Sequence, residues 1–529
     1  MFRPHMNMRK RNHLQVTWTL ILSCVATSGL SQEVSIPDAG LNAAIRETLQ
    51  KPSGPLTQQD LLSLTNLTAP NRNIASVQGL EAARNLVSLE LEINRLANFS
   101  VPTELTNLMV LNLSGNPLTN FFLPSGLTNV TSLSIESAGL TELVLPAGLT
   151  RLNNLDLEGN DLTTFNLPSS MTSLATLDLG FNLFTNFSLP AGLTNLATFY
   201  FAGNPLTSVD LPQGLTGMTE LNLSQNQLTS FALPAGMINL LELDLAFNQL
   251  TNLALPNDLR SLFELDLDFN QFSSVNLPTN LSHLSFLHLH ANQFTQFTLP
   301  AGLTGLTYLD LRENRLSNFA LPEGSSHLAT LALSKNKFTN FTLPAGLTNL
   351  VALNLSENQL TNVVLPPDLT HLETLNLGGN LLTRLDLPAG LTHLTGLFFV
   401  ANQLATITLP PDATQLNSLG FLANPLMTVV LSESLAATNM AETVANLQSQ
   451  GVSVFTYPLA IQLTRIRQPL GAFQFAITGP PGVYSVQGST DLAGWSEVGV
   501  LTNSLGAIVF TDGAAHLSPR KFYRARFSP

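Results

Sequence analysis

The sequence predicts a parallel β solenoid of about 17 coils with a mostly extended back, capped by short helices and followed by a small all-β sandwich. Three observations predict it. An apolar pattern recurs every 22 residues from about Leu64 to about Leu431 with almost no slippage. One asparagine travels with it, at Asn94, Asn116, Asn160, Asn182, Asn204, Asn226, Asn248, Asn270, Asn292, Asn314, Asn336, Asn358, Asn380, Asn402 and Asn424, broken only by Arg72 and Ala138. After Tyr457-Pro458 the period vanishes and short alternating runs replace it.

One period reads Leu350-x-x-Leu353-x-Leu355-x-x-Asn358-x-Leu360-Thr361-x-Val363-x-Leu365-Pro366. In Leu353-x-Leu355, alternate side chains leave a strand on one side, so both leucines are core. Where the strand ends, backbone groups turn inward, and a buried amide side chain can donate to and accept from them. Stacked coil upon coil, these residues form an Asn ladder, an architectural element. The second half, Thr-x-Phe-x-Leu-Pro, carries Phe99, Phe121, Phe165, Phe187, Phe231, Phe297, Phe319 and Phe341. Its period-two alternation predicts a short extended segment on the back of the coil instead of a helix. Two residues past the Pro stands Gly126, Gly148, Gly192, Gly236, Gly302 or Gly346, or in their place Asp258, Asn280 or Asp368. These residue types accept positive φ, which predicts a tight turn.

The spacing L-x-x-L-x-L-x-x-N-x-L resembles the leucine-rich repeat family, over roughly 70% of the chain. Its 22-residue length and strict spacing look like the bacterial, internalin-like branch. The resemblance implies stacked parallel strands and a curved exposed face that binds another molecule; it does not imply which.

The ends differ from the repeat. Residues 1–31 read as a secretion signal: Arg9-Lys10-Arg11 is basic, Leu14–Val25 mostly apolar, and Gly29-Leu30-Ser31 a small-residue exit. The only cysteine, Cys24, lies inside this stretch, where Ile21-Leu22-Ser23-Cys24 is a weak match to a lipid-attachment site. The location expected is therefore secreted or cell-surface, with no disulfides in the mature chain. Residues 32–63 read as a helical front cap. Pro37-Asp38 opens a helix with Leu41, Ile45 and Leu49 on one face, and Thr57-Gln58-Gln59-Asp60 resembles a capping box. The repeats fill 64–435. A rear cap, 436–458, has Ala437, Met440, Ala441, Val444 and Leu447 on one helix ended by Gly451, then a strand from Val452 to Phe455.

Residues 459–529 form the module. Runs at Phe473–Ile477, Tyr484–Val486, Trp495–Leu501, Ala507–Phe510 and Phe522–Phe527 predict its strands, with Trp495 a core residue. The stretch Val483-Tyr484-Ser485-Val486-Gln487-x-Ser489-Thr490-Asp491-Leu492-x-x-Trp495, with Phe522-Tyr523-Arg524, resembles a C-terminal module of secreted proteins from environmental bacteria.

Four basic residues and no acid fall in 1–31, and six basic against three acidic in 459–529, leaving 12 against 32 for the body, a net charge of −20. Such a body argues against nucleic acid and anionic membranes as partners. No nucleophile elbow, phosphate loop, zinc-helix motif or cysteine pair is present, and no cofactor is implied. His283, His327, His371 and His393 share the repeat position just before the strand, where Asn often stands. They read as polar residues at the sheet edge.

His288 and His290 differ, because they occupy outward strand positions. In-register stacking sets residues 22 apart side by side, giving the rows Asp244, Asp266, His288, Asp310; Asp268, His290, Arg312; and Glu242, Glu264, Phe286, Tyr308. This patch is the candidate ligand site, and its carboxylate and imidazole groups suit a divalent cation as well as a protein or glycan. The outward Phe398, Val400 and Leu422 are expected to meet the C-terminal module or its linker. Hence the expectation is a non-catalytic recognition protein that binds a protein or polysaccharide on the concave face. The alternative is a structural spacer with the module as its attachment. A hydrolase is disfavoured because an open sheet has no cleft to exclude water.

Overall fold

In most repeats the first Leu of the Leu-x-Leu pair is the buried centre of a three-residue strand whose flanking side chains face outward, as in Glu220–Asn222 and Glu264–Asp266, and the second Leu is buried just past its end. The computed structural model describes residues 32–118, 120–466, 473–517 and 520–528. The predicted signal and Cys24 lie outside them. The chain divides into two compact units, Met1–Gln249 and Leu250–Pro529, with the boundary inside the repeat. Both units are built the same way. Strands pair in parallel and exactly one repeat apart, from Asn66↔Ser88 to Glu220↔Glu242 in the first unit and from Glu264↔Phe286 to Gly396↔Ser418 in the second.

The register follows from the Asn column. Asn248 is 8% exposed. Its Oδ1 accepts from Leu228 N at 3.0 Å, and its Nδ2 donates to Leu223 O at 2.9 Å, Leu245 O at 3.1 Å and Ala246 O at 3.3 Å. One side chain thus satisfies backbone groups of two successive coils. Asn314 repeats the arrangement with Phe294, Leu289, Leu311 and Arg312. At the break in the series, Leu118 N turns to the backbone carbonyls of Ala138, at 3.0 Å, and Asn116, at 2.8 Å.

Each Asn is turned inward by a left-handed residue just before it. Phe181 (φ 49°), Ala291 (φ 54°), Glu313 (φ 51°), Lys335 (φ 55°) and Ala401 (φ 54°) take this conformation, and only Gly115, Gly159, Gly203 and Gly379 supply glycine there. For a residue with a Cβ this costs about 1 kcal/mol, and the ladder bonds offset it.

On the back of the coils, short strands form at the Phe-x-Leu position, for example Asn98–Ser100 beside Asn120–Phe122 and Asn340–Thr342 beside Asn362–Val364. Phe99 and Phe121 stack at 6.1 Å, Phe297 and Phe319 at 6.2 Å. Among the described residues no helix lies between the 3-10 turn Leu80–Ala82 and Glu433. The turn expected after the Pro is only partly left-handed. Gly192, Gly236 and Gly346 have φ of 93–96°, whereas Gly126, Gly148 and Gly302 do not adopt positive φ. Asp and Asn in this column act through their side chains: Asp368 accepts from Gly346 N at 2.6 Å, one coil earlier.

At the front, α1 (Ala39–Thr48) buries Leu41, Ala44 and Ile45, and Asp38 caps it by accepting from Leu41 N. Helix α2 (Gln58–Leu62) opens on a capping box between Thr57 and Asp60. At the rear, the single helix expected over Ala437–Leu447 is two, α3 (Glu433–Ala437) and α4 (Ala441–Ser449). Ser432 accepts from Leu435 N and starts α3 early, and Thr438 (φ −117°, ψ −100°) breaks the chain direction. The strand Ser453–Tyr457 then pairs in parallel with Thr428–Ser432.

The last segment forms two antiparallel sheets. One joins Gln462–Ile466, unforeseen from sequence, to Phe473–Thr478 and Ala507–Asp512; the other sets Gly482–Ser489 between Ser496–Asn503 and Phe522–Ser528. Their shared core holds Phe475, Ile477, Tyr484, Val486 and Phe510. Trp495 is not part of it, contrary to expectation. It is half-buried at the surface, donating from Nε1 to Leu492 O, with the Arg524 guanidinium 4.3 Å from its ring centre.

Replacing Asn248 with Ala is expected to lower the unfolding free energy by about 1–3 kcal/mol, through backbone groups left unsatisfied. An unchanged midpoint in a denaturant titration contradicts the ladder. In the opposite direction, Ala401→Gly is expected to stabilise by about 0.5–1 kcal/mol, because left-handed strain outweighs the entropy added to the unfolded chain. Destabilisation in the same titration means that φ is not strained.

Candidate recognition face and its charge clusters

Nine of the eleven side chains expected at the site come together in the second unit. Glu264, Phe286 and Tyr308 form one row and Asp266, His288 and Asp310 the next, residue opposite residue. Glu242 and Asp244 stand on the last main-sheet strand of the first unit, beside Glu220 and Asn222.

The row through Asp310 is the most buried. Asp310 is 1% exposed and accepts from Arg312 through backbone N at 2.9 Å, Nε at 2.8 Å and Nη2 at 2.5 Å. These bonds raise the proton affinity of Arg312 further. Tyr308 lies 5.0 Å from His288 and 6.0 Å from Phe286, ring centre to ring centre. Burial, then the Asp310 charge, raises its phenol pKa.

Asp268 lies near both His288 and His290. Its Oδ1 accepts from His290 N at 2.6 Å, and its Oδ2 is 3.9 Å from His290 Nδ1. Loss of hydration on burial, followed by the Asp266 charge, pushes its carboxyl up to about 8, although the His290 amide and Arg312 pull the other way. His290 Nε2 lies 3.6 Å from Glu313, which Lys335 also holds at 2.6 Å. His288 Nε2 is 3.5 Å from Glu264 Oε1 but lacks hydrogen-bond geometry. That nitrogen is closed to solvent and makes no hydrogen bond. One ligand atom each from Asp266, Asp268 and His288 fall within 4.8 Å of one another, as do those from Asp268, His290 and Asp310.

A second cluster, in the first unit, was not singled out from sequence, although the same rows of outward acids mark it. Asp156, Glu158 and Asp178 bring carboxylate oxygens within 4.8 Å of one another. Burial pushes Asp178 up to about 6, with Glu158, Asp156 and Glu136 adding to it and the Gly180 amide opposing. One repeat on, Tyr200 donates to Glu220, and that bond raises the phenol to about 12.

The edge histidines staple coils. The Nδ1 atoms of His371 and His393 lie 2.7 Å from Thr348 O and Thr370 O. Asn349 makes the same contact, donating to Ser326 O at 2.8 Å.

Phe398, expected to meet the C-terminal module, packs within the sheet. Its ring lies over Gly396 and Gly420, where an added Cβ would come within 2.9 and 2.8 Å of it. Val400 and Leu422 are 37% and 59% exposed. The module instead reaches the back of the coils, where Pro481 and Phe527 share the lining of a cavity of about 370 Å³ with Leu385–Ala389 and Thr408–Pro411.

A family model described as BspA type leucine rich repeat region matches residues 91–177, 266–378 and 328–441, and a second leucine-rich repeat model matches 194–235. Together these models cover more than half of the chain, which belongs to the leucine-rich repeat proteins; the coils within 91–177 and 266–441 match the BspA type. In fold the chain is similar to the functional domain of InlJ from Listeria monocytogenes, at 20% identity, covering 85% of this chain and 96% of that one with a TM-score of 0.56. That domain includes a cysteine ladder, whereas this chain has a single cysteine, Cys24. A leucine-rich repeat protein of Leptospira interrogans aligns at 25% identity over 75% of this chain and 97% of its own, with a TM-score of 0.47. No curated protein sequence matches the chain. Among the described residues no helix is long and apolar enough to cross a membrane.

Asp178 binds more protons folded than unfolded between about pH 4, where the free carboxyl titrates, and about 6. The unfolding free energy therefore falls as pH rises through that window. Asp178→Asn keeps an acceptor for the Gly180 amide and is expected to remove this slope, stabilising by about 1–2 kcal/mol at pH 7. Unfolding curves for both proteins from pH 4 to 7 check this; parallel pH dependences contradict it.

Proposed function

We propose that this chain is a non-catalytic recognition protein, secreted or held at the cell surface, that binds a protein or polysaccharide through the exposed face of its long sheet. The contact centres on the coils of Asn270, Asn292 and Asn314. The observation that carries this reading is the patch itself. Three adjacent strands of the second unit present carboxylates, two imidazoles, a guanidinium and aromatic rings in tilted contact. Rigid aromatic area and oriented charge are what interface hot spots are made of.

Elsewhere in this unit the same rows carry mostly small or singly polar residues, such as Thr374, Asn376 and Ser418, with Phe398 as an exception. A spacer has no need for that local departure. The net charge of −20 over residues 32–458 favours a cationic or polyhydroxylated ligand over nucleic acid. The basic-then-apolar stretch before the repeats supports export.

The full chain, probed against a glycan array and an array of extracellular proteins, supplies the ligand for a paired comparison. Asp266→Ala/His288→Ala/Tyr308→Ala is expected to weaken binding about tenfold or more, while Thr374→Ala/Asn376→Ala/Ser418→Ala leaves it unchanged. Equal loss in both variants, or none in either, overturns the assignment.

A further inference from the structure

We propose that the C-terminal module binds an acidic polysaccharide, one whose sugars carry carboxylates, on the outward face of the sheet formed by Gly482–Ser489, Ser496–Asn503 and Phe522–Ser528. Arg524 and Arg526 are the anion contacts, with Trp495 beside them. This site is separate from the face on the coils, and its charge has the opposite sign. Residues 459–529 carry six basic and three acidic side chains, a net charge of +3, against −20 for residues 32–458.

The strand pattern places the two guanidiniums. Tyr523, Ala525 and Phe527 pack on the module core. Phe522, Arg524 and Arg526 alternate with them and leave the opposite side of the strand, the two arginines about 6–7 Å apart along it. Arg524 is held in advance. Its guanidinium lies 4.3 Å from the centre of the Trp495 ring, and its Nε donates to Gln487 Oε1 at 2.8 Å. Trp495 is fixed in turn, donating from Nε1 to Leu492 O at 3.1 Å. Ring contact and hydrogen bond together set the plane of the fork. Its terminal Nη1 and Nη2 donate to no protein group among the described residues, and a planar carboxylate accepts from both at once. Arg526 is exposed, and among the described residues its guanidinium makes neither an ion pair nor a hydrogen bond.

The neighbouring groups select a sugar acid among anions. Gln487 and Ser485 stand opposite Arg524 and Arg526 on the central strand, and Ser485 donates to Glu497 Oε2 at 2.6 Å. Amide, hydroxyl and carboxylate around the cations suit a ligand with hydroxyls between well-spaced single charges. A phosphate polymer, with denser charge, is opposed by Glu497. Trp495, half-buried, and Phe522, 37% exposed, supply the flat apolar area on which a sugar ring rests. Two other cations of the module lie apart from this face. Lys521 is paired with Asp512 at 2.5 Å, and Arg465 stands on the other sheet, 5.9 Å from the Phe473 ring centre.

The test is calorimetric titration of the full chain with oligogalacturonate and with oligoalginate, and in parallel with maltooligosaccharide, polyphosphate and single-stranded DNA. At least one of the two uronate probes is expected to bind, and the other three are not. Arg526→Gln and Trp495→Ala should each weaken uronate binding about tenfold or more. Arg524→Lys, which keeps the charge but loses the planar fork, should weaken it about fivefold or more. Arg465→Gln removes the same charge from the other sheet and should change it less than about twofold. Circular dichroism confirms that each variant is folded, and Arg526→Gln, which breaks no side-chain bond within the protein, decides the matter if another variant is not. Absence of binding to both uronates, binding undiminished in Arg526→Gln, equal weakening in Arg465→Gln, or polyphosphate or DNA bound as tightly each overturn the proposal.

Discussion

The bonds between each buried Asn and the backbone of two coils are the constraint on which the rest of this structure depends. A three-residue strand satisfies few amides by itself, and the chain must then leave the sheet at right angles with its polar groups pointing inward. The Asn side chain meets those groups, as Asn248 does through Leu228, Leu223 and Leu245. Its place in the turn demands a left-handed residue directly before it, whatever that residue is. With turn and ladder fixed, a coil cannot lose or gain a residue without leaving buried groups unpaired, so the 22-residue period is held. Register in the sheet is a consequence.

That register is also what builds the proposed recognition face. Side chains one repeat apart are forced to about 4.8 Å spacing, so any bias in the outward positions becomes a row. Rows of like charge cost free energy, and the molecule meets the cost in two ways. Arg312 neutralises the buried Asp310 directly, while Asp268 and Asp178 have their carboxyls pushed up by burial and by neighbouring acids. The two clusters are among the observations that support the proposed recognition role of this face.

Much of this was legible from residues alone because a repeat multiplies each signal. The ladder, the Leu core, the extended back and the front capping box follow from period, alternation and cap chemistry. The outward rows followed from arithmetic, and Asp266, His288 and Asp310 stand where spacing placed them. What escaped had no residue-type signature. The left-handed position is filled by Phe181, Lys335 or Ala401 as readily as by glycine, because geometry, and not composition, selects it. Trp495 lies under Arg524 instead of in the core, through a contact distant in sequence, and Phe398 lies over Gly396 of its own strand and Gly420 one repeat on. The second acidic cluster was visible in the same rows but lacked a histidine to draw notice.

Amide hydrogen exchange on the full chain tests the ladder most directly. Leu228, Phe272, Phe294 and Leu316 lie outside any strand, yet each donates its N–H to an Asn Oδ1 one coil on, at 2.9–3.0 Å. If these bonds hold the coils in register, the four amides exchange about a thousandfold or more slower than in an unstructured peptide, alongside the strand amides. Exchange at the rate of exposed turn amides, with the strands still protected, would show that the sheet stands without the ladder.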